Sequence, residues 1–182
     1  MPFVTVAAAC LIGDVLLLSA MYKLIRPRDY LEAVQSYRLT RRLNKAIRSL
    51  LAPAVPLAEV ISAGLIFVPA TRVAGLALSI AVFVAFYVVG RDDRPVIANC
   101  GCWGRPEFGV SHRVLLVRNA SLLAISAAAL AGTVALNPAD HDSVLQTFAA
   151  VGLALPFSFL VLEVPELLML ASLRPVQRNL SR

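Results

Sequence analysis

Five apolar runs, each about the length that crosses a lipid hydrocarbon core as a helix, decide most of what this chain can become. They cover residues 2–22, 49–70, 73–90, 114–136 and 144–162, with polar or basic connections between them. Of the 182 residues, 59% are hydrophobic and only 15% are charged. A soluble domain is about half apolar and about a quarter charged. The expected fold is therefore all-α, a polytopic membrane helical bundle with no soluble domain and no internal repeat.

The first run carries one charge, Asp14, near its middle, and no positive residue precedes it. It exceeds the apolar core of a signal peptide, about 7–15 residues, and is read as a retained membrane helix. Cleavage after the small residues near Ser19 and Ala20 is the alternative. The lone Cys10 in this run is expected to pack rather than react. The next stretch is rich in Lys and Arg from Lys23 to Arg48, with Tyr30, Leu31, Val34, Tyr37 and Leu39 recurring at roughly helical spacing. Residues 26–48 are expected to form an amphipathic helix on the membrane surface, anchored to anionic lipid headgroups. Basic residues crowded beside membrane helices make nucleic acid a poor partner for the +6 net charge.

Pro53 and Pro56 are expected to loosen the start of the second span, and the short connection 69–72 returns the third span antiparallel to it. In the fourth span Ala120, Ala124, Ala128 and Gly132 fall four residues apart, which predicts a smooth stripe where another helix approaches closely. Five spans place the basic segment, the 91–112 connection and the C-terminus on one side of the membrane. All 17 Lys and Arg except Arg72 fall on that side or, for Arg118, within reach of it. The positive-inside rule makes that side cytoplasmic.

The 91–112 connection holds the candidate chemistry, Asn99-Cys100-Gly101-Cys102-Trp103-Gly104. Two thiols one residue apart can close a disulfide, and Gly101 leaves the backbone free to bring the sulfurs together. The ring is small and constrained, so its disulfide is expected to be more reducible than a relaxed structural one. A thiol attacks as the thiolate, which nearby positive charge favours. Arg91, Arg94, Arg105 and Arg113 supply such charge, partly offset by Asp92, Asp93 and Glu107. Two bland readings stand beside the redox one: inert thiols, or half of a metal site. Cys100, Cys102 and His112 give three metal ligands at best, where a closed structural zinc site takes four, so neither a metal nor a cofactor is expected. Trp103 serves either as an interfacial anchor or as a contact for a partner.

Asp14, Glu59 and Arg118 are costly in lipid and are expected to face the bundle interior and pair. Counting from the cysteine-loop side at ~1.5 Å per residue puts Glu59 and Arg118 within about 10 Å of each other in depth. A Glu59–Arg118 pair beneath the loop is the expectation, with Lys23 as a competing partner and Asn119 beside it. Such a pair serves either to hold two helices in register or to take part in the chemistry.

Lys23 after the first span, Tyr30 and Tyr37, Pro56-Leu-Ala-Glu59, Cys100-Gly-Cys102-Trp103-Gly104 and Arg118-Asn119 together resemble the methylamine utilisation MauE family, in the DoxX-like group of bacterial membrane proteins. The resemblance spans roughly residues 5–135, and the family usually has Phe at the position of Trp103. It implies a four-helix MauE/DoxX-like core over residues 1–136, to which residues 137–182 add an acidic loop, a fifth transmembrane helix and a basic tail. It also implies a multi-pass protein of the bacterial plasma membrane that forms or maintains disulfides of an exported client. In the family that client is methylamine dehydrogenase, and the exchange involves a thioredoxin-like partner. Here Cys100 and Cys102 would carry the exchange, supported by Gly101, Trp103, Gly104, Glu59, Arg118 and Asn119.

Disulfide delivery to exported clients wants the thiols outside, whereas the charge distribution puts them inside. Either the orientation defies the charge count, or the dithiol draws electrons from a cytoplasmic donor, or the protein is not an oxidoreductase. If it is an enzyme, it is a thiol–disulfide oxidoreductase. The alternative is a non-catalytic membrane scaffold that holds a redox partner. A transporter is a distant third, since the spans show no inverted pairing of broken helices.

Overall fold

A computed structural model describes residues 2–36, 44–92 and 112–135, together with 150–152, 154–156 and 158. These residues are helical apart from short connections, and no strand occurs among them. Helix α1 (Pro2–Ile25) is followed by α2 (Pro27–Ser36), α3 (Lys45–Phe67), α4 (Arg72–Asp92) and α5 (His112–Ala135). Four stretches are long and apolar enough to cross a membrane: Phe3–Ile25, Ser49–Phe67, Pro69–Arg91 and Leu116–Ala135. The first four apolar runs are thus bundle helices, as hydrocarbon requires of a chain that must satisfy its backbone internally.

The bundle closes as a ring in which α1 packs on α3, α3 on α4, α4 on α5 and α5 back on α1. Ala9, Ile12, Val15 and Leu16 of α1 meet Ala63 and Ile66 of α3, Leu76 and Phe83 of α4, and Leu122 and Ala129 of α5. Between α3 and α4 the backbones come very close. A Cβ added to Gly75 would lie 2.6 Å from the Ile66 backbone nitrogen, so no side chain fits there.

The turn between these helices explains a charge that the sequence left isolated. Val68 is extended, as a residue before proline tends to be, and a 3₁₀ turn follows at Pro69–Thr71. The last carbonyls of α3 have no helical partner. Thr71 Oγ1 donates to the Leu65 carbonyl at 2.9 Å, and Arg72 Nε donates to the Ile66 carbonyl at 3.2 Å. Arg72 is fully buried at the start of α4, where it caps the helix before it.

Several expectations need correction. Pro53 and Pro56 lie inside a continuous α3 rather than loosening its beginning; neighbouring helices let membrane spans tolerate proline. The basic segment 26–48 is not one surface helix. Arg26 breaks the helix before Pro27, whose missing N–H suits the first position of a new helix. In α2, Tyr30 and Val34 are buried against Ala52 and Val55 of α3, so its apolar side faces protein. Lys45 and Arg48 already belong to the first turn of α3, and Tyr37 and Leu39 lie outside the described residues.

On α5 the stripe of Ala120, Ala124 and Ala128 is exposed, while the buried face carries Asn119, Leu122, Ser126 and Ala129. Of the four stripe positions Gly132 is the one in tight contact, since a Cβ there would lie 2.8 Å from the Thr5 side chain. Of the expected fifth span, 144–162, only residues 150–152, 154–156 and 158 are described, as helical pieces, and a fifth spanning helix is not shown among the described residues. Ala150 and Ala154 pack there against Val6 and Cys10, confirming Cys10 as a packing residue.

Candidate functional site

The polar centre of the bundle lies at the end where α1 finishes and α4 and α5 hold the roots of the cysteine loop. Lys23 sits two residues before the end of α1, and one turn earlier Ser19 shares its face. Glu59 projects from α3. Both charged side chains are completely inaccessible to solvent. Lys23 Nζ donates to Glu59 Oε1 and to Ser19 Oγ, the latter at 3.2 Å. The Ser19 hydroxyl donates to the same Glu59 oxygen at 3.1 Å. Three groups from two helices thus close a network around one carboxylate oxygen.

Aromatic faces complete the surroundings of the ammonium. The centroid of Phe86, on α4, lies 4.8 Å from Nζ, and that of Tyr30, on α2, lies 5.7 Å from it. Ring faces attract a cation, more strongly where water is excluded. The ion pair is therefore solvated by a hydroxyl and two rings instead of by water, which offsets part of the cost of burying it. Other buried serines behave differently: Ser62, Ser79 and Ser126 each donate to a carbonyl of their own helix. Among these four, Ser19 is the one committed to a charged group.

The remaining intramembrane groups are also located. Asp14, halfway along α1, is buried, and its Oδ2 has no hydrogen-bond partner among the described residues. Asn119 is buried about two turns into α5, with half-buried Arg118 beside it. The structure therefore brings Glu59 together with Lys23, the competing partner of the sequence reading. Cys100, Gly101, Cys102, Trp103 and Gly104 lie outside the described residues, as does most of the loop that carries them. Sequence reasoning missed Ser19 and Phe86. The four-residue step from Ser19 to Lys23 was a usable signal for the first, and nothing in the pattern singled out Phe86.

Four membrane-length helices closed around a buried lysine–glutamate network define a polytopic membrane protein of the all-helical class. A family model described as methylamine utilisation protein MauE matches residues 1–132, and the chain belongs to that family. No curated protein and no solved structure matches it.

Proposed function

We propose that this protein is a thiol–disulfide component of the bacterial plasma membrane that forms or maintains disulfides in exported clients. The observation that carries the reading is the Cys100-Gly101-Cys102 element inside the region matched by the MauE family, whose description ties it to methylamine utilisation. The buried network at the end of the bundle from which this loop departs supports it.

The chemistry is exchange. One sulfur of the Cys100/Cys102 pair, as the thiolate, attacks a sulfur of a thioredoxin-like partner's disulfide and forms a mixed disulfide. The partner's other sulfur leaves as a thiolate and takes up a proton. The second cysteine, having lost its proton, then displaces the partner and closes the Cys100–Cys102 disulfide. Two electrons and two protons pass from the pair to the partner. Run in reverse against a client dithiol, the same steps give the client a disulfide and return the pair to thiols. Gly101 allows the closure, while Trp103 and Gly104 shape the surface that meets the partner. Arg118 and Asn119, near the start of α5, support the loop from the bundle side.

Replacing one cysteine tests this directly, because it removes the resolving step. With Cys102→Ser, Cys100 is expected to accumulate in a mixed disulfide with a thioredoxin-like protein, seen as a reducible adduct on a gel and mapped by mass spectrometry. If neither single variant traps such an adduct, the pair does not exchange.

A further inference from the structure

Helix α1 carries two charged side chains, Asp14 and Lys23, and only Lys23 turns inward to a partner. Ala9, Ile12 and Leu16, which build the core, lie roughly opposite Asp14 around the helix. Phe3, Leu17 and Met21 share the side that bears Asp14, and all three are exposed. Asp14 itself is only 3% exposed, and its Oδ2 has no hydrogen-bond partner among the described residues. Cys10, one turn earlier on that side, packs against Ala150 and Ala154, which belong to none of the four ring helices. Asp14 thus stands at the seam between the ring and residues 150–158.

No cation pairs with Asp14 among the described residues. Lys23 and Glu59 hold each other, and Arg72 Nε is bonded to the Ile66 carbonyl. Arg118 stands in the second turn of α5, at the end of the bundle where α1 finishes, and Asp14 is about 16 Å along α1 from that end. The other charges of α2, α3, α4 and α5 gather at the same end. Residues 144–162 contain no Lys, Arg or His. Ser158, one turn beyond Ala154, is fully buried and already donates its hydroxyl to the Ala154 carbonyl at 3.0 Å. A carboxylate closed off from water with no counter-charge is so costly that the group takes up a proton instead.

The geometry points to Asp14 as a proton-binding site, a neutral carboxylic acid held within the membrane at the seam between α1 and residues 150–158. A proton needs one oxygen, which Asp14 supplies. A hard metal cation takes about six or more oxygen ligands, and no cluster of three His, Cys, Asp or Glu able to hold a metal occurs among the described residues. The two buried carboxyls beside α1 are therefore in opposite states. Glu59 is ionised against Lys23 inside the ring, and Asp14 is protonated outside it. The site is independent of the cysteine pair and of the redox reading.

Infrared spectroscopy of the full-length protein in an ester-free detergent reads the proton directly, since only a protonated carboxyl shows the acid carbonyl stretch. At neutral pH the wild type is expected to show that band, shifted by isotopic labelling of the aspartate carboxyls and lost in Asp14→Asn. Asp14→Leu makes the assignment if the Asn variant does not accumulate. A lipid-soluble carbodiimide, which adds to a protonated carboxyl, gives a second readout by mass spectrometry. About one in a thousand ordinary aspartates is protonated at neutral pH, so Asp14 is expected to label on the order of a hundredfold faster than Asp29 of α2. Replacing potassium by sodium at constant pH should leave both readouts unmoved. The absence of an isotope-sensitive acid band, or a band that survives loss of Asp14, overturns the inference whatever the labelling shows. Sodium that abolishes the band overturns it too, by making the site one for a metal cation.

Discussion

Replacing Cys100 and Cys102 together by serine is expected to reduce thiol–disulfide exchange to background, a loss of about a thousandfold or more, the scale of deleting a catalytic nucleophile. A hydroxyl forms no disulfide and is not ionised near neutral pH, so no conservative pathway remains. Disulfide content of the exported client, read by thiol labelling and gel shift, is expected to fall with it. Protein level in the membrane should stay normal, because the described bundle core is built from residues of α1, α3, α4 and α5. This variant separates catalysis from scaffolding. Retained client disulfides with retained partner binding would make the protein an assembly factor whose cysteines are incidental.

The second large effect concerns stability. Glu59→Ala is expected to cost about 3–5 kcal/mol, the usual result of stranding one member of a buried ion pair. It leaves Lys23 with Ser19 and two ring faces but no counter-charge in a site closed to water. Lys23→Ala should cost a similar amount for the converse reason. Lys23→Met/Glu59→Leu should recover most of the loss, since an apolar pair of similar volume avoids the desolvation penalty altogether. Thermal unfolding in detergent, followed by helical circular dichroism, checks all three. A double variant no more stable than the worse single one would mean that the pair contributes more than charge balance.

The arrangement of the spans was legible because lipid imposes one rule on every residue of a crossing helix. Runs at 2–22, 49–70, 73–90 and 114–136 became spans at Phe3–Ile25, Ser49–Phe67, Pro69–Arg91 and Leu116–Ala135. The burial of Asp14 and Glu59 followed from the same cost of charge in hydrocarbon. What depended on the exact end of a helix was harder. Ending the first run at Tyr22 left Lys23 in a surface segment, whereas α1 continues to Ile25 and carries Lys23 inward to Glu59. Rotation was harder still. Helix α5 is small or apolar on nearly every face, so the alanine stripe had no more claim to the interior than the face bearing Leu122 and Ser126. Arg72 looked like a stray charge, since its role as a cap for Leu65 and Ile66 of α3, shared with Thr71, depends on the fold of the turn.

One measurement bears on the central claim more directly than any variant. Native membranes holding the wild-type protein are equilibrated with thioredoxin at a series of ratios of oxidised to reduced protein. Cys100 and Cys102 are then differentially alkylated and quantified by mass spectrometry. The account predicts that both cysteines convert together, in one two-electron transition, between a dithiol and a Cys100–Cys102 disulfide. Cysteines that remain reduced at every ratio, or that never bond to each other, would contradict it.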